Sequence, residues 1–241
     1  QIHPVGPYSG ADQECGRAHH GRPDFGYTVI DKIATNVTER TFASWCKDVR
    51  NIVTTEDLDS FVKGTLIPTV NDWKLDNKSN FLRLGLNSMQ QYRIKFILGK
   101  ITAYVDALRL GKTTVDDLTS YTQTAVEIEH IMPQTFTDKE LYGMNDEEFS
   151  VYINRLGNLT LLENSINKSI HNDVYANKSK AYKQSKFYLT SSLSELVNQG
   201  LDTAINRTNS LLSAWSDWNK QSIEERQEML YRLSEMIWEM S

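Results

Sequence analysis

Apolar side chains recur at helical spacing over one long stretch of the chain. From Ser88 to about Leu110, residues Met89, Tyr92, Phe96, Ile97, Ile101, Tyr104, Val105 and Leu108 repeat with the helix period of about 3.6. The pattern predicts a core helix that Gly111 stops, since a residue free to adopt positive φ is a common helix terminator. Shorter helical patterns precede it at about residues 35–50 and 54–64, the second opening on Thr54, Thr55, Glu56 and Asp57 in the manner of a capped N-terminus. Two more are expected near the end of the chain, Leu201 to Asn219 and Ile223 to Met240, the last capped by Ser222 with Glu225 completing a capping box. Trp215, Trp218 and Trp238 are expected to anchor that helical pair in the core rather than to stack on a base.

Between these helices the period shortens to two. Val126-Glu127-Ile128-Glu129-His130 alternates apolar and polar side chains, which suits a half-buried strand, and Pro133 ends it because it has no N–H to offer a ladder. Leu159 to Glu163, entered through Gly157, is a second short strand, and Asn164 or Ser165 can cap a helix carrying Asn167 and Lys168. A short helix from Asp146 to Asn154 is expected within the intervening loop. The fold class expected is α+β and mostly helical, with a ββα core embedded in a helical domain. Four regions follow: an irregular segment over 1–30, a helical region over 31–120, the ββα core over 121–190, and helices over 191–241 that pack on it. The chain starts with Gln rather than Met, so it reads as a fragment of a longer protein.

The ββα region carries the chemistry. Hydrolysis of a phosphodiester needs a deprotonated water, a cation to neutralise developing charge, and support for the departing oxygen. A neutral histidine, with an ordinary pKa of about 6.5, can take a proton from water near pH 7, which is typically worth roughly 10² to 10⁴ in rate. His130 is the candidate base. Glu129 and Asn167 are the candidate metal ligands, because carboxylate and amide oxygens suit a hard ion such as Mg²⁺ or Mn²⁺. Regular strand geometry turns Glu129 and His130 to opposite sides, so a distortion at the strand end is required for both to reach one site. Asn158 completes the catalytic candidates with two roles open: ligation through water, or, the favoured one, hydrogen bonds to the long loop that hold His130 in one orientation.

Lys168, His171, Lys178, Lys180, Lys183 and Lys186 follow directly, with Asp173 the single acid among them and Tyr175, Tyr182 and Tyr188 interleaved. This stretch is the expected DNA-binding strip, contacting the phosphate backbone. With a net charge of -5 for the 241 residues, such binding is expected to be weak and strongly salt-dependent. No apolar run is long enough for a membrane span, and the start lacks the basic head and apolar stretch of a signal peptide. Cys15 and Cys46 are too few for a disulfide framework, and Cys15 with His19 and His20 lacks the spacing and fourth donor of a zinc site. A cytoplasmic protein is the simplest reading. There is no phosphate-cradling glycine loop, so nucleotide hydrolysis is not expected in this piece.

An acidic residue, a histidine and a nearby proline on the first strand of a ββα unit resemble the HNH, or His-Me finger, nucleases. The longer string is more specific: His130-Ile131-Met132-Pro133, then Arg155-Leu156-Gly157-Asn158-Leu159-Thr160-Leu161-Leu162, then Asn167, Ser169-Ile170-His171-Asn172, Lys178 and Tyr182. It resembles the C-terminal nuclease domain of GmrSD-type restriction proteins, and SspE proteins, which sense phosphorothioation, carry a similar domain. The helix Tyr92-Arg93-Ile94-Lys95-Phe96-Ile97-Leu98 and the closing Ile237-Trp238 are similar too, so the likeness runs from about residue 80 onward. Glu129 departs from the aspartate common in the wider group, and His171 stands where a serine is expected. The resemblance implies a metal-dependent DNA endonuclease, nicking or cleaving, within a modification-sensing anti-phage defence protein. It also implies an N-terminal nucleotide-hydrolysing sensor domain as partner in the same protein. The alternative is a catalytically silent module of the same fold that binds DNA or docks that sensor, and dependence on metal separates the two.

Overall fold

The computed structural model describes residues 30, 33–73, 77–113, 115, 117–135 and 142–238. Apart from Ile30, the segment expected to be irregular over 1–30 lies outside the described residues, as do Cys15, His19 and His20. The chain divides into two units, residues 1–73 with 238–241 and residues 74–237.

In the first unit, helix α1 spans Thr35–Val49 and α2 spans Thr55–Phe61. Helix α2 opens on the expected capping box: Thr54 Oγ1 accepts from the Asp57 amide at 3.1 Å, and the Asp57 carboxylate accepts from the Thr54 amide at 3.0 Å. A π turn over Val62–Leu66 carries it into α3, Ile67–Trp73, beyond the end expected near residue 64. Trp45 collects this unit's aromatic side chains, with ring centroids of Phe42, Trp73 and Phe61 at 5.4, 5.8 and 6.5 Å.

The second unit opens with α4, Asn77–Phe81, and is built around α5, Gln91–Arg109. Helix α5 starts after the predicted Ser88, because Ser88 closes a turn instead, its Oγ accepting from the Gly85 amide and donating to the Gly85 carbonyl. Its end is as expected, with Gly111 at φ 68°. Ile94, Ile97, Leu98, Ile101 and Val105 are fully buried, each contributing roughly 1.5–3 kcal/mol by leaving water. Tyr92 departs from the pattern, 64% exposed one turn from the buried face.

Strands β1, Val126–His130, and β2, Leu159–Glu163, have the predicted boundaries and pair antiparallel from Val126 opposite Glu163 to His130 opposite Leu159. Between them lies α6, Asp146–Tyr152, opened by a capping box of Asn145 with Glu148. A 3₁₀ turn, Leu156–Asn158, leads into β2, and α7, Asn164–Ile170, follows it. Neither Asn164 nor Ser165 caps α7, whose N-cap position is Glu163; the Asn164 amide donates to the Ala125 carbonyl and ties the helix start to β1. Helix α8, Tyr175–Tyr182, and the short α9, Tyr188–Ser191, come next. Helix α9 packs on both β2 and α5, and α7 packs on both strands.

The C-terminal part differs from the pattern in two ways. Only α10, Ala204–Asn209, is helical within the stretch expected as one helix from Leu201 to Asn219. The chain then runs irregularly so that Trp215 and Trp218 can turn into the core, 8% and 1% exposed. The last helix, α11, Lys220–Trp238, starts earlier than predicted. Asn219 rather than Ser222 occupies the capping position: Asn219 Oδ1 accepts from the Ser222 amide at 3.1 Å, and Ser222 Oγ accepts from the Asn219 amide at 3.4 Å. The architecture is α+β and mostly helical, with a two-stranded sheet. No helix among the described residues is long and apolar enough to cross a membrane.

Candidate active site

The register of β1 decides what each side chain can reach. Alternation puts Glu127 and Glu129 on one side of the strand and His130 on the other, and the pairing stays regular through His130, without the distortion that a shared Glu129 and His130 site requires. The contacts follow this division.

Glu129 turns toward α8. Its Oε1 accepts from Lys178 Nζ at 2.6 Å and from the Tyr182 hydroxyl at 3.1 Å. Lys178 also donates to the His130 carbonyl at 2.7 Å, so its ammonium fixes the end of β1 by side chain and backbone together. Both charged side chains are buried, at 2% and 8% exposure. Burial pushes the Glu129 carboxyl above its ordinary pKa, against the Lys178 ammonium and the Tyr182 hydroxyl, which favour the carboxylate. Tyr182 is held protonated by its own burial and by the carboxylate it donates to.

Asn167, on α7, also reaches β1, but its partner is Glu127. Its Nδ2 donates to Glu127 Oε2 at 2.6 Å, and among the described residues neither Asn167 Oδ1 nor Glu127 Oε1 has a hydrogen-bond partner. The structure therefore brings together Glu129 with Lys178, and Asn167 with Glu127. The expected pairing of Glu129 with Asn167 is not made. Glu127 was open to detection, because a period of two places it beside Glu129.

His130 sits at the strand end and is buried, 9% exposed. Burial lowers its pKa to about 4, and Lys178 adds to the lowering, while the side chain of Asn154 opposes it. The imidazole is thus neutral near pH 7, the state a general base needs, while its burial disfavours the imidazolium that proton uptake forms. Its Nε2 lies 3.4 Å from the side-chain nitrogen of Gln134, a long contact whose donor and acceptor depend on the ring's tautomer. Gln134 is placed by Asn172, just past α7, whose Oδ1 accepts from the Gln134 amide at 2.7 Å and whose Nδ2 donates to the Thr135 carbonyl at 2.7 Å. Of these supports, Asn172 belongs to the string quoted for the resemblance. Gln134 and Asn154 carry no signal beyond adjacency to it.

Asn158 is fully engaged in the core. Its Oδ1 accepts from the Met132 amide at 2.8 Å and from Trp218 Nε1 at 2.9 Å, and its Nδ2 donates to the Ile153 carbonyl at 2.9 Å. Its carbonyl also accepts from the Ile131 amide at 2.9 Å. These bonds hold the chain after His130 against the start of β2 and leave no lone pair aimed at solvent. Arg226 of α11 braces the same turn: its Nη1 donates to the carbonyls of Gly157 and Leu159 at 2.9 and 2.7 Å. Nothing in the local sequence marks Arg226, since its contacts lie 67 or more positions away.

The basic stretch is less continuous than its sequence. Lys178 is buried, so it is not part of a solvent-facing strip, and Tyr175 and Tyr182 are core side chains at 4% and 0% exposure. The Tyr175 hydroxyl donates to the Leu193 and Trp215 carbonyls. Lys183 pairs with Glu195 at 2.8 Å on the surface. Lys168, His171 and Lys180 are exposed, His171 ending α7 with φ 45°.

The donor chemistry of a divalent ion can be set against these positions. Among the described residues no group of three or more His, Cys, Asp and Glu side chains is placed to hold a metal. Glu129 has its Oε1 engaged by the Lys178 ammonium and the Tyr182 hydroxyl inside the core, so that oxygen is not open to an ion. Glu127 and Asn167 carry the donor types that a hard and largely hydrated ion prefers, a carboxylate and an amide on a half-buried surface, and meet each other through the Asn167 nitrogen. A family model described as GmrSD restriction endonucleases, C-terminal domain, matches residues 71–233. No curated protein matches the chain.

Proposed function

Because the chain belongs to the family of C-terminal domains of GmrSD restriction endonucleases, we propose that it is an HNH-type endonuclease module that hydrolyses DNA phosphodiester bonds with His130 as general base. The observation that carries this reading is the place of His130 at the end of β1, its Nε2 beside the Gln134 side chain rather than paired with a protein carboxylate. An uncharged histidine can take the proton of an attacking water, and Gln134 stands where it can help orient that water. Asn158 contributes by position, holding the backbone after His130 through Met132. Glu127 and Asn167 would hold a Mg²⁺ or Mn²⁺ ion. Such an ion supplies charge neutralisation at the phosphate when bound. Lys178 and Glu129 act as a fixed buried pair that sets the strand end from which His130 projects.

In the whole protein this module would be directed by an N-terminal nucleotide-hydrolysing domain that senses modified DNA, within a cytoplasmic restriction system. The test is relaxation of supercoiled plasmid by the chain with Mg²⁺ or Mn²⁺, against an EDTA control. Metal-dependent relaxation or linearisation is expected. DNA binding without any strand scission in either metal would favour the silent binding module.

A further inference from the structure

A pocket of about 270 Å³ opens between residues 83–88 and 151–155. Arg83 and Arg155 are among its lining residues, with Asn87, Ser88 and Asn154. Neither arginine has a carboxylate partner among the described residues, although the chain as a whole is acidic. Arg155 is held in place instead by stacking on Tyr152, its guanidinium carbon 4.1 Å from the ring centroid, which leaves its N–H edges free to donate.

The two segments are clamped to each other. Gly85 and Arg155 form an isolated antiparallel bridge, the Leu86 amide donates to the Asn154 carbonyl at 2.8 Å, and the Leu156 amide donates to the Leu84 carbonyl at 2.8 Å. The approach is so close that a Cβ on Gly85 would stand 2.2 Å from the Asn154 carbonyl oxygen. Only glycine fits there, so the arginines are carried on a rigid frame. The pocket is also tied to the candidate base through the backbone: the Arg155 carbonyl accepts from the Asn158 amide at 2.8 Å, and Asn158 in turn accepts from the Ile131 and Met132 amides, the two residues after His130, at 2.9 and 2.8 Å.

Resting on the nuclease reading above, we infer that this pocket is a phosphate-binding subsite that seats the DNA backbone next to His130. Paired arginines with open N–H edges match the two free oxygens of a phosphodiester, and the fixed frame sets the distance from the seated phosphate to the imidazole. The principal DNA contact then lies at the Arg83 and Arg155 pocket rather than on the exposed Lys168 of α7 and Lys180 of α8.

The inference is tested by anisotropy of a short labelled DNA duplex, with Ca²⁺ in place of Mg²⁺ and over a salt series. The whole chain is compared with R83A/R155A and K168A/K180A, and each variant is checked for folding by circular dichroism. The arginine pair is expected to lower affinity about tenfold or more and to reduce the slope of log affinity on log salt by about 1.8, two phosphate contacts at roughly 0.9 each. R83E, on an exposed position, covers the case in which loss of Arg155 unfolds the chain, and is expected to weaken binding at least as much as R83A. Folded arginine variants that bind like the wild type, with the loss falling on K168A/K180A, would overturn the subsite and leave the nuclease reading standing. A wild-type chain that binds no DNA at any salt would overturn both.

Discussion

Lys178 Nζ lies 2.6 Å from Glu129 Oε1, joining α8 to the end of β1 across 49 positions of sequence, with both charges out of solvent. Two residues that sequence chemistry assigns to separate tasks, one to DNA and one to a metal, satisfy each other instead. Removing one partner leaves the other charge buried and unpaired, which typically costs 3–5 kcal/mol. K178M is therefore expected to lower the urea midpoint and the melting temperature sharply, by roughly 10 °C. The double variant K178M/E129L should recover much of that loss. Equal melting temperatures for K178M and the wild type would show that the pair is not closed in solution.

Glu127 and Asn167 are expected to govern metal affinity. Mn²⁺ titration followed by electron paramagnetic resonance should show binding weakened about tenfold or more in E127Q and in N167A. E129Q is expected to destabilise the fold while its folded fraction still binds Mn²⁺. Loss of Mn²⁺ from folded E129Q with retention in E127Q would return the ligand role to Glu129.

The low pKa of His130 gives a pH signature. As a general base it must be unprotonated, so activity is expected to rise as pH passes about 4 and to be level from about pH 5 to neutrality on that side of the profile. An acid limb centred near the ordinary histidine value would mean that the ring is solvated when the enzyme works.

Stability should carry the same group with a definite sign, opposed by Asp106. His130 has a folded pKa of about 4 against an ordinary 6.5, so the unfolded chain binds the extra proton and stability falls as pH drops through that window. Burial raises Asp106 to about 6, so the folded chain holds the proton, and stability falls as pH rises from the ordinary 3.8 toward 6. The two nearly cancel between about pH 4 and 6. Melting curves of H130Q should consequently show a chain that gains stability on acidification across that range relative to the wild type, and those of D106N the reverse.

Much of this site was legible where chemistry is local. The alternation of Val126 to His130 and the apolar run of Leu159 to Glu163 set both strands at their observed ends, because a period of two is a direct imprint of the pleat. Asn158, whose local sequence offers both a loop-holding and a ligating role, makes three side-chain hydrogen bonds, to Met132, Trp218 and Ile153. What escaped depends on distant partners. Lys178 looks like one more lysine of a basic run until Glu129 is brought beside it, and Arg226 looks like a helical surface charge until the Leu156–Asn158 turn is laid on it. The helix expected through Asn219 fails for the same reason: Trp218 has more to gain from Asn158 and the core than from continuing a helical repeat.

Asn158 offers a direct check on that structural role. Asn158→Ala leaves the Trp218 indole N–H, the Met132 amide and the Ile153 carbonyl without partners, each worth about 1–3 kcal/mol when buried. A loss of several kcal/mol in urea unfolding is expected. A variant as stable as the wild type but inactive would instead make Asn158 a catalytic group.

As the proposed general base, His130 would do the chemistry on DNA that the rest of the site positions. The most direct measurement pairs plasmid cleavage in Mg²⁺ or Mn²⁺ with duplex affinity for the wild type and His130→Ala. Cleavage reduced by at least about 10² with affinity within about twofold is the predicted result. Undiminished cleavage by His130→Ala would contradict the account.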